Sequence, residues 1–218
     1  MTVTAWLLFG AAVALAATYA GAYVRARASV ARSAAKTGAV LGLAVAAFLV
    51  DAPAFLIVAL LCCAVGDYFL SRDGDVAFMT GVAAFAAGHL AYVALFLSTA
   101  KDGAELPTIG VFALAWLLLI LGLVMATLLW SRAGQLRVPV LIYIPIILGM
   151  GWAALSVPMS GPLAAVLPAA LIFVASDITL AVEKFLLPQM HPARAYTPYV
   201  IWTTYWSAQA MFTLAYTL

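Results

Sequence analysis

The apolar residues of this chain come in long unbroken blocks, and the polar ones gather in the short stretches between them. A bilayer's hydrocarbon core, about 30 Å thick, is crossed by about 20 mostly apolar residues in a helix. Eight blocks approach that length, at 3–24, 37–51, 53–71, 76–99, 108–130, 138–157, 161–183 and 196–218. The second is short and rich in glycine and alanine. The connections leave no room for a soluble domain. The pattern therefore predicts an all-α membrane protein, a single domain over 1–218 built as one bundle of eight transmembrane helices.

Composition agrees: hydrophobic residues make up 67% of the chain and charged ones 8%, and the mean hydropathy is +1.16. A net charge of +2 is too small to point to nucleic acid. The placement of the charge says more. Numbering the connections alternately puts Arg25, Arg27, Arg32, Lys36, Arg72, Arg132, Arg137, Lys184 and Arg194 on one side and Lys101 on the other. Basic residues accumulate on the cytoplasmic side. Nine of the ten thus orient the bundle with both termini non-cytoplasmic. The first block has a basic cluster after it and none before, the reverse of a signal peptide, and reads as a retained helix. An alanine- and valine-rich chain with compact loops fits a bacterial plasma membrane. Adjacent Cys62 and Cys63, in an apolar run, read as packing residues rather than a disulfide or metal pair.

A carboxylate near the centre of such a helix costs about 2.5–3.5 kcal/mol on insertion scales, so those found there point to function. Asp67 lies near the cytoplasmic end of the third block and Asp177 in the cytoplasmic half of the seventh. Lys36 stands at the mouth of the second, His89 in FAAGHLAY, and Tyr205 and Gln209 in TYWSAQAMF. Helical spacing groups them. Phe85, His89, Tyr92 and Phe96 share one face, as do Asp177 and Lys184, and Tyr205 and Gln209. Lipid offers these groups no partners, so the faces are expected to point inward.

Each residue also has a purely structural reading. His89 serves equally as a hydrogen-bonded interhelical histidine. Asp67 reaches the interface by snorkelling, and Asp177 forms an ion pair with Lys36 or Lys184. Tyr92, Tyr143 and Tyr205 act as packing or interfacial anchors, and Lys184 and Arg194 as topology determinants. The halves of the chain also echo one another. The third and seventh blocks carry Gly66-Asp67 and Ser176-Asp177, and the blocks after them carry Gly88-His89 and Ala208-Gln209, an offset of four helices that a parallel repeat would produce.

Taken in order, Lys36, Gly66-Asp67, FxxGHLxY (Phe85 to Tyr92), Tyr143 with Met150, SDxxLAxxKF (Ser176 to Phe185) and TYWxAQ (Thr204 to Gln209) resemble the YhhN family of multispanning lysoplasmalogenases. One departure is Thr37, where the family pattern would have proline. The resemblance implies hydrolysis of the vinyl ether bond of a lysoplasmalogen, giving a fatty aldehyde and glycerophosphoethanolamine or -choline. The expected partners are then a lysophospholipid substrate and membrane lipids, with no cofactor.

That chemistry suits the residues. A vinyl ether is hydrolysed by protonating its outer alkene carbon, after which water captures the oxocarbenium ion. A carboxyl shut in an apolar bundle holds its proton more tightly than one in water, and a second carboxylate stabilises the cation or activates the water, as in glycosidases. Asp67 and Asp177 form the expected catalytic pair, with His89 and Tyr205 placing the water and Lys36 or Lys184 meeting the lipid phosphate. Tyr92, Tyr143, Ser176 and Gln209 complete the expected substrate-binding set. Which aspartate is the acid stays open.

Three other readings compete. Some membrane amidases build a zinc site from histidines and an aspartate, but the two histidines here, with His191 in the loop MHPAR, cannot make a three-histidine site in one chain, and no metal is expected. Intramembrane Asp and His with Pro145 and Pro168 also suit a proton-coupled transporter or a lipid-binding protein. A catalytically silent bundle would use the same polar faces as interhelical glue. The small-residue face from Gly38 to Gly42 fits packing within the bundle or between copies, so oligomeric state stays open.

Overall fold

The computed structural model describes residues 1–100 and 108–218. Among the described residues eight long helices follow one another: α1 Val3–Thr18, α2 Val30–Phe48, α3 Ala54–Leu70, α4 Asp75–Ser98, α5 Ile109–Arg132, α6 Arg137–Ala154, α7 Val166–Ala181 and α8 Thr197–Thr217. Six of them, α1, α2 and α4 to α7 with the turns that extend some of them, are long and apolar enough to cross a membrane. The apolar α3 has 17 residues. At 21 residues α8 is longer, but Thr, Tyr, Ser and Gln interrupt its apolar character. Lys101, the lone basic residue expected at the opposite end, lies outside the described residues.

The element boundaries follow the hydropathy blocks closely except in α2, which begins at Val30 rather than at 37. Ser29 caps it, its Oγ accepting the backbone N–H of Arg32 at 3.1 Å. The first two turns carry Arg32, Ser33 and Lys36, so the helix starts before its apolar stretch does. Lys36 therefore sits inside α2 rather than at its mouth. Arg32 stays at that end by donating to the carbonyls of Ser71 at 2.9 Å and Tyr23 at 3.2 Å.

Close helix contact is made by small residues, as in other membrane bundles. A side chain at Gly66 would meet the Phe85 ring at 2.6 Å, and one at Gly88 would meet Cys63 Sγ at 2.8 Å and the Ala59 carbonyl at 3.2 Å. These two glycines bring α3 and α4 together. The next residue on each helix is turned about 100° around the axis, away from the contact and toward the bundle interior. Those residues are Asp67 and His89, both fully buried. The α7–α8 contact repeats the device: Ser176 donates its hydroxyl to the Ile201 carbonyl at 3.0 Å, and Asp177 follows it.

Two indoles tie α8 to the start of the chain. Trp202 Nε1 donates to the Ala16 carbonyl at 3.0 Å and Trp206 Nε1 to that of Ala39 at 3.2 Å, which gives each N–H a partner away from water. The face of α4 containing Phe85, His89, Tyr92 and Phe96 points inward as expected, with exposures of 7%, 0%, 0% and 0%. Single π-helical turns extend α1 (Tyr19–Tyr23) and α7 (Val182–Leu186). Such turns shift the face that follows them and recur near functional sites.

Candidate active site

Asp67, in the last turn of α3, is reached from two sides. The Lys36 ammonium of α2 stands 3.0 Å from Oδ1, and the Tyr205 hydroxyl of α8 donates to Oδ2 at 2.7 Å. The carboxyl is fully buried, so it does not snorkel to the interface; burial this deep is tolerable because cation and donor are both present. Lys36 serves Asp67 and not Asp177, contrary to one expected pairing. Lys184 does not reach Asp177 either and instead stands 3.9 Å from Asp75 Oδ1.

Asp177, on α7, has different neighbours. The Tyr143 hydroxyl of α6 donates to Oδ2 at 2.6 Å, and His89 Nε2 of α4 lies 3.6 Å from the same oxygen. The imidazole is oriented by its other nitrogen, Nδ1, 2.6 Å from the Phe85 carbonyl. A carbonyl only accepts, so Nδ1 carries the hydrogen and a neutral ring turns the bare Nε2 toward Asp177. Among the described residues His89 Nε2 has no hydrogen-bond partner. Two acceptors facing one another are satisfied when a proton lies between them.

Both carboxyls line one cavity of about 300 Å³ at the end of the bundle where α2 and α8 begin and α3 and α7 end. Lys36, Tyr143, Ser176, Lys184 and Tyr205, all expected in the substrate-binding set, line it too. The Ser176 hydroxyl is already committed to the Ile201 carbonyl. His89 lies one layer behind Asp177 and does not reach the cavity wall. Tyr92 and Gln209, expected to bind substrate, are also core residues: the Tyr92 hydroxyl donates to Gln209 Oε1 in a fully buried pair. The pair sits in the aromatic cluster of Phe96, Phe173 and Phe212, away from the lining.

Three charged residues in the lining were not among the expected site residues: Arg32, Glu183 and Arg194. Arg32 precedes Lys36 by four residues on one helix face, a spacing that was available to find it. The guanidinium of Arg194 is spent on the backbone, donating to the carbonyls of Glu183, Leu187 and Pro188 and so holding the π turn after α7. On that turn Glu183 and Lys184, although adjacent, both line the cavity, and Glu183 Oε2 is buried without a partner among the described residues. No helical spacing rule signals this. Lys184 is the freest cation of the group, its side chain 41% exposed and its ammonium 4.7 Å from the Phe78 ring centre.

The family model described as the YhhN family matches residues 31–216. The chain is 28% identical over 166 residues to lysoplasmalogenase TMEM86A of Bos taurus, an alignment covering 73% of this chain and 64% of that protein. It is 37% identical over 174 residues to lysoplasmalogenase TMEM86B of Sus scrofa, and 34% identical over 158 residues to that of Homo sapiens; each alignment covers 72% of this chain and 61% of the relative. The chain thus spans a little over three fifths of the length of these curated relatives. No solved structure matches it.

Proposed function

Because the chain belongs to the YhhN family, we propose that it is a membrane hydrolase that cleaves the vinyl ether bond of lysoplasmalogens, using two buried carboxyls that face one cavity. The observation that carries this reading is their contrasting company. Asp67, held by a cation and an O–H donor, has the surroundings of an ionised carboxylate. Asp177, between the Tyr143 donor and the bare Nε2 of His89, has those of a carboxyl that carries a proton.

The roles follow. Asp177 gives its proton to the outer alkene carbon, and the oxocarbenium ion forms beside the Asp67 carboxylate. Water adds to the ether carbon and yields a proton to Asp67. The hemiacetal then collapses: Asp67 returns that proton to the departing glycerol oxygen while Asp177 takes the hydroxyl proton. One water is consumed, both carboxyls end as they began, and the products are a fatty aldehyde and a glycerophospho-alcohol. His89 acts through Asp177 as a positioning residue, Lys36 keeps Asp67 ionised, and Tyr205 orients it. In the head-group region Lys184 meets the phosphate, and Glu183 Oε2 meets the ammonium of ethanolamine or choline.

The same reading includes eight membrane spans, α3 and α8 among them, in a single domain over 1–218. The basic end of the bundle and the cavity mouth face the cytoplasm, both termini lie on the far side, and the host membrane is a bacterial plasma membrane. Purified protein incubated with ethanolamine and choline lysoplasmalogens is expected to release free aldehyde. Absence of aldehyde from both lipids, with the protein folded and monodisperse, overturns the hydrolase reading and favours a carrier.

A further inference from the structure

We propose that a narrow apolar slot between α5, α6 and α7 seats the first carbons of the substrate's alkenyl chain and leads sideways into the lipid. The proposal rests on the hydrolase reading and deepens it. A second, smaller cavity of about 50 Å³ lies behind the polar one, walled by Gly122 and Met125 of α5, Ile144 of α6 and Ile178 of α7. Its polar members are Tyr143 and Asp177, which line the main cavity too. The proposed acid therefore stands in the wall between an apolar compartment and a charged one.

The vinyl ether is the junction between the hydrocarbon and polar parts of the substrate, so a lipid spanning both compartments brings its alkene to Asp177. The sizes fit that division. Small-molecule sites run from roughly 300 to 1,000 Å³; the main cavity, about 300 Å³, admits a head group but not a long chain with it. The slot, about 50 Å³, is far smaller; about 10–15 Å³ of such space holds one water, so it has room for only the first few chain carbons. The remaining chain would leave past α5, because α5 is the outermost wall: it packs mainly on α6, and Leu117, Ile120, Leu123 and Val124 are 47–59% exposed along it. In a membrane those side chains meet acyl chains. Total chain length is thus of little consequence, whereas bulk at the first carbons after the alkene is decisive.

Two experiments test this. In the first, alkyl-ether lysophospholipids, which lack the cleavable alkene, carry a diazirine on the third or fourth chain carbon and are photolysed with the wild-type protein. Labelling of Met125, Ile144 or Ile178 is expected; labelling confined to Leu70 or Phe78 in the main cavity overturns the slot. In the second, lysoplasmalogens of ten to eighteen carbons are expected to be cleaved within about threefold of one another, and a methyl branch next to the alkene to cost about tenfold or more, the scale of one misplaced methylene in a tight pocket. Met125→Ala is expected to raise the branched-to-straight rate ratio, and Ile178→Trp to lower kcat/KM for straight chains about tenfold. A ratio unmoved by Met125→Ala counts against the slot even if Ile178→Trp misfolds. The two readings fail separately: aldehyde release with labelling only in the main cavity sinks the slot alone, and slot labelling without aldehyde release sinks the hydrolase reading.

Discussion

Asp67 and Asp177 each follow a small residue on a helix that ends at the polar end of the bundle. Each is contacted by the preceding helix of its own half of the chain, Lys36 from α2 and Tyr143 from α6, and by the closing helix of the other half, Tyr205 from α8 and His89 from α4. The scaffold thus presents two equivalent positions and fills their surroundings differently. A cation and a hydroxyl surround one carboxyl, a hydroxyl and an imidazole the other. For a carboxyl buried in the bundle, the partner atoms within hydrogen-bonding reach decide which protonation state it can adopt. On the proposed chemistry, one helix arrangement thereby supports two chemical roles.

The largest effect is expected at Asp177. Asp177→Asn keeps the shape, still accepts from Tyr143 and can donate to His89, but it has no proton to give to carbon. Aldehyde release should fall by about 10²–10⁴-fold, the range for general acid catalysis, with the melting midpoint in detergent close to wild type. Asp67→Asn should lose activity and stability together, because it leaves Lys36 without its counter-charge. We expect a loss of about 3 kcal/mol, the low end for a broken buried pair, since the lysine retains 13% side-chain exposure. Adding Lys36→Met should restore the stability but not the activity, and a double variant no more stable than Asp67→Asn would remove the basis for calling Asp67 the ionised partner.

The two tyrosines sharpen the contrast. Tyr205→Phe should lower stability by about 1.5–3 kcal/mol, the scale of a hydrogen bond to a charged group, whereas Tyr143→Phe should act mainly on kcat. Equal effects in thermal unfolding and steady-state rates would argue that the two carboxyls are alike. Smallest of all, Ser176→Ala should cost about 1 kcal/mol for the lost bond to the Ile201 carbonyl and leave the rate nearly unchanged; a large rate loss would return Ser176 to substrate binding.

The helices, and the gathering of their polar residues at one end, were legible because lipid permits so few alternatives: apolar length marks a span, and charge inside one needs a reason. Asp67, Asp177 and Tyr205 could be selected on that ground, whereas Tyr143 came from the family resemblance. Pairing between helices was not legible. Spacing along a helix says which residues share a face and nothing of what the face meets, so Lys36 was offered to the lipid phosphate, or to Asp177 in the structural alternative, and its pairing with Asp67 was missed. Depth misled as well. Tyr92 and Gln209 qualified as intramembrane polar groups, yet they bond to each other away from the cavity lining. The start of α2 escaped because a serine cap and polar first turns precede the apolar run, and Glu183 because a π turn departs from the 3.6-residue period.

On the proposed chemistry, the wall shared by the two cavities also sorts the products by phase. The carbonyl compound is left on the hydrocarbon side of Asp177 and Tyr143, and the phosphodiester on the aqueous side. A reactive aldehyde would then be delivered to the bilayer, where a membrane-bound oxidase or reductase could meet it, while the head group returns to soluble metabolism.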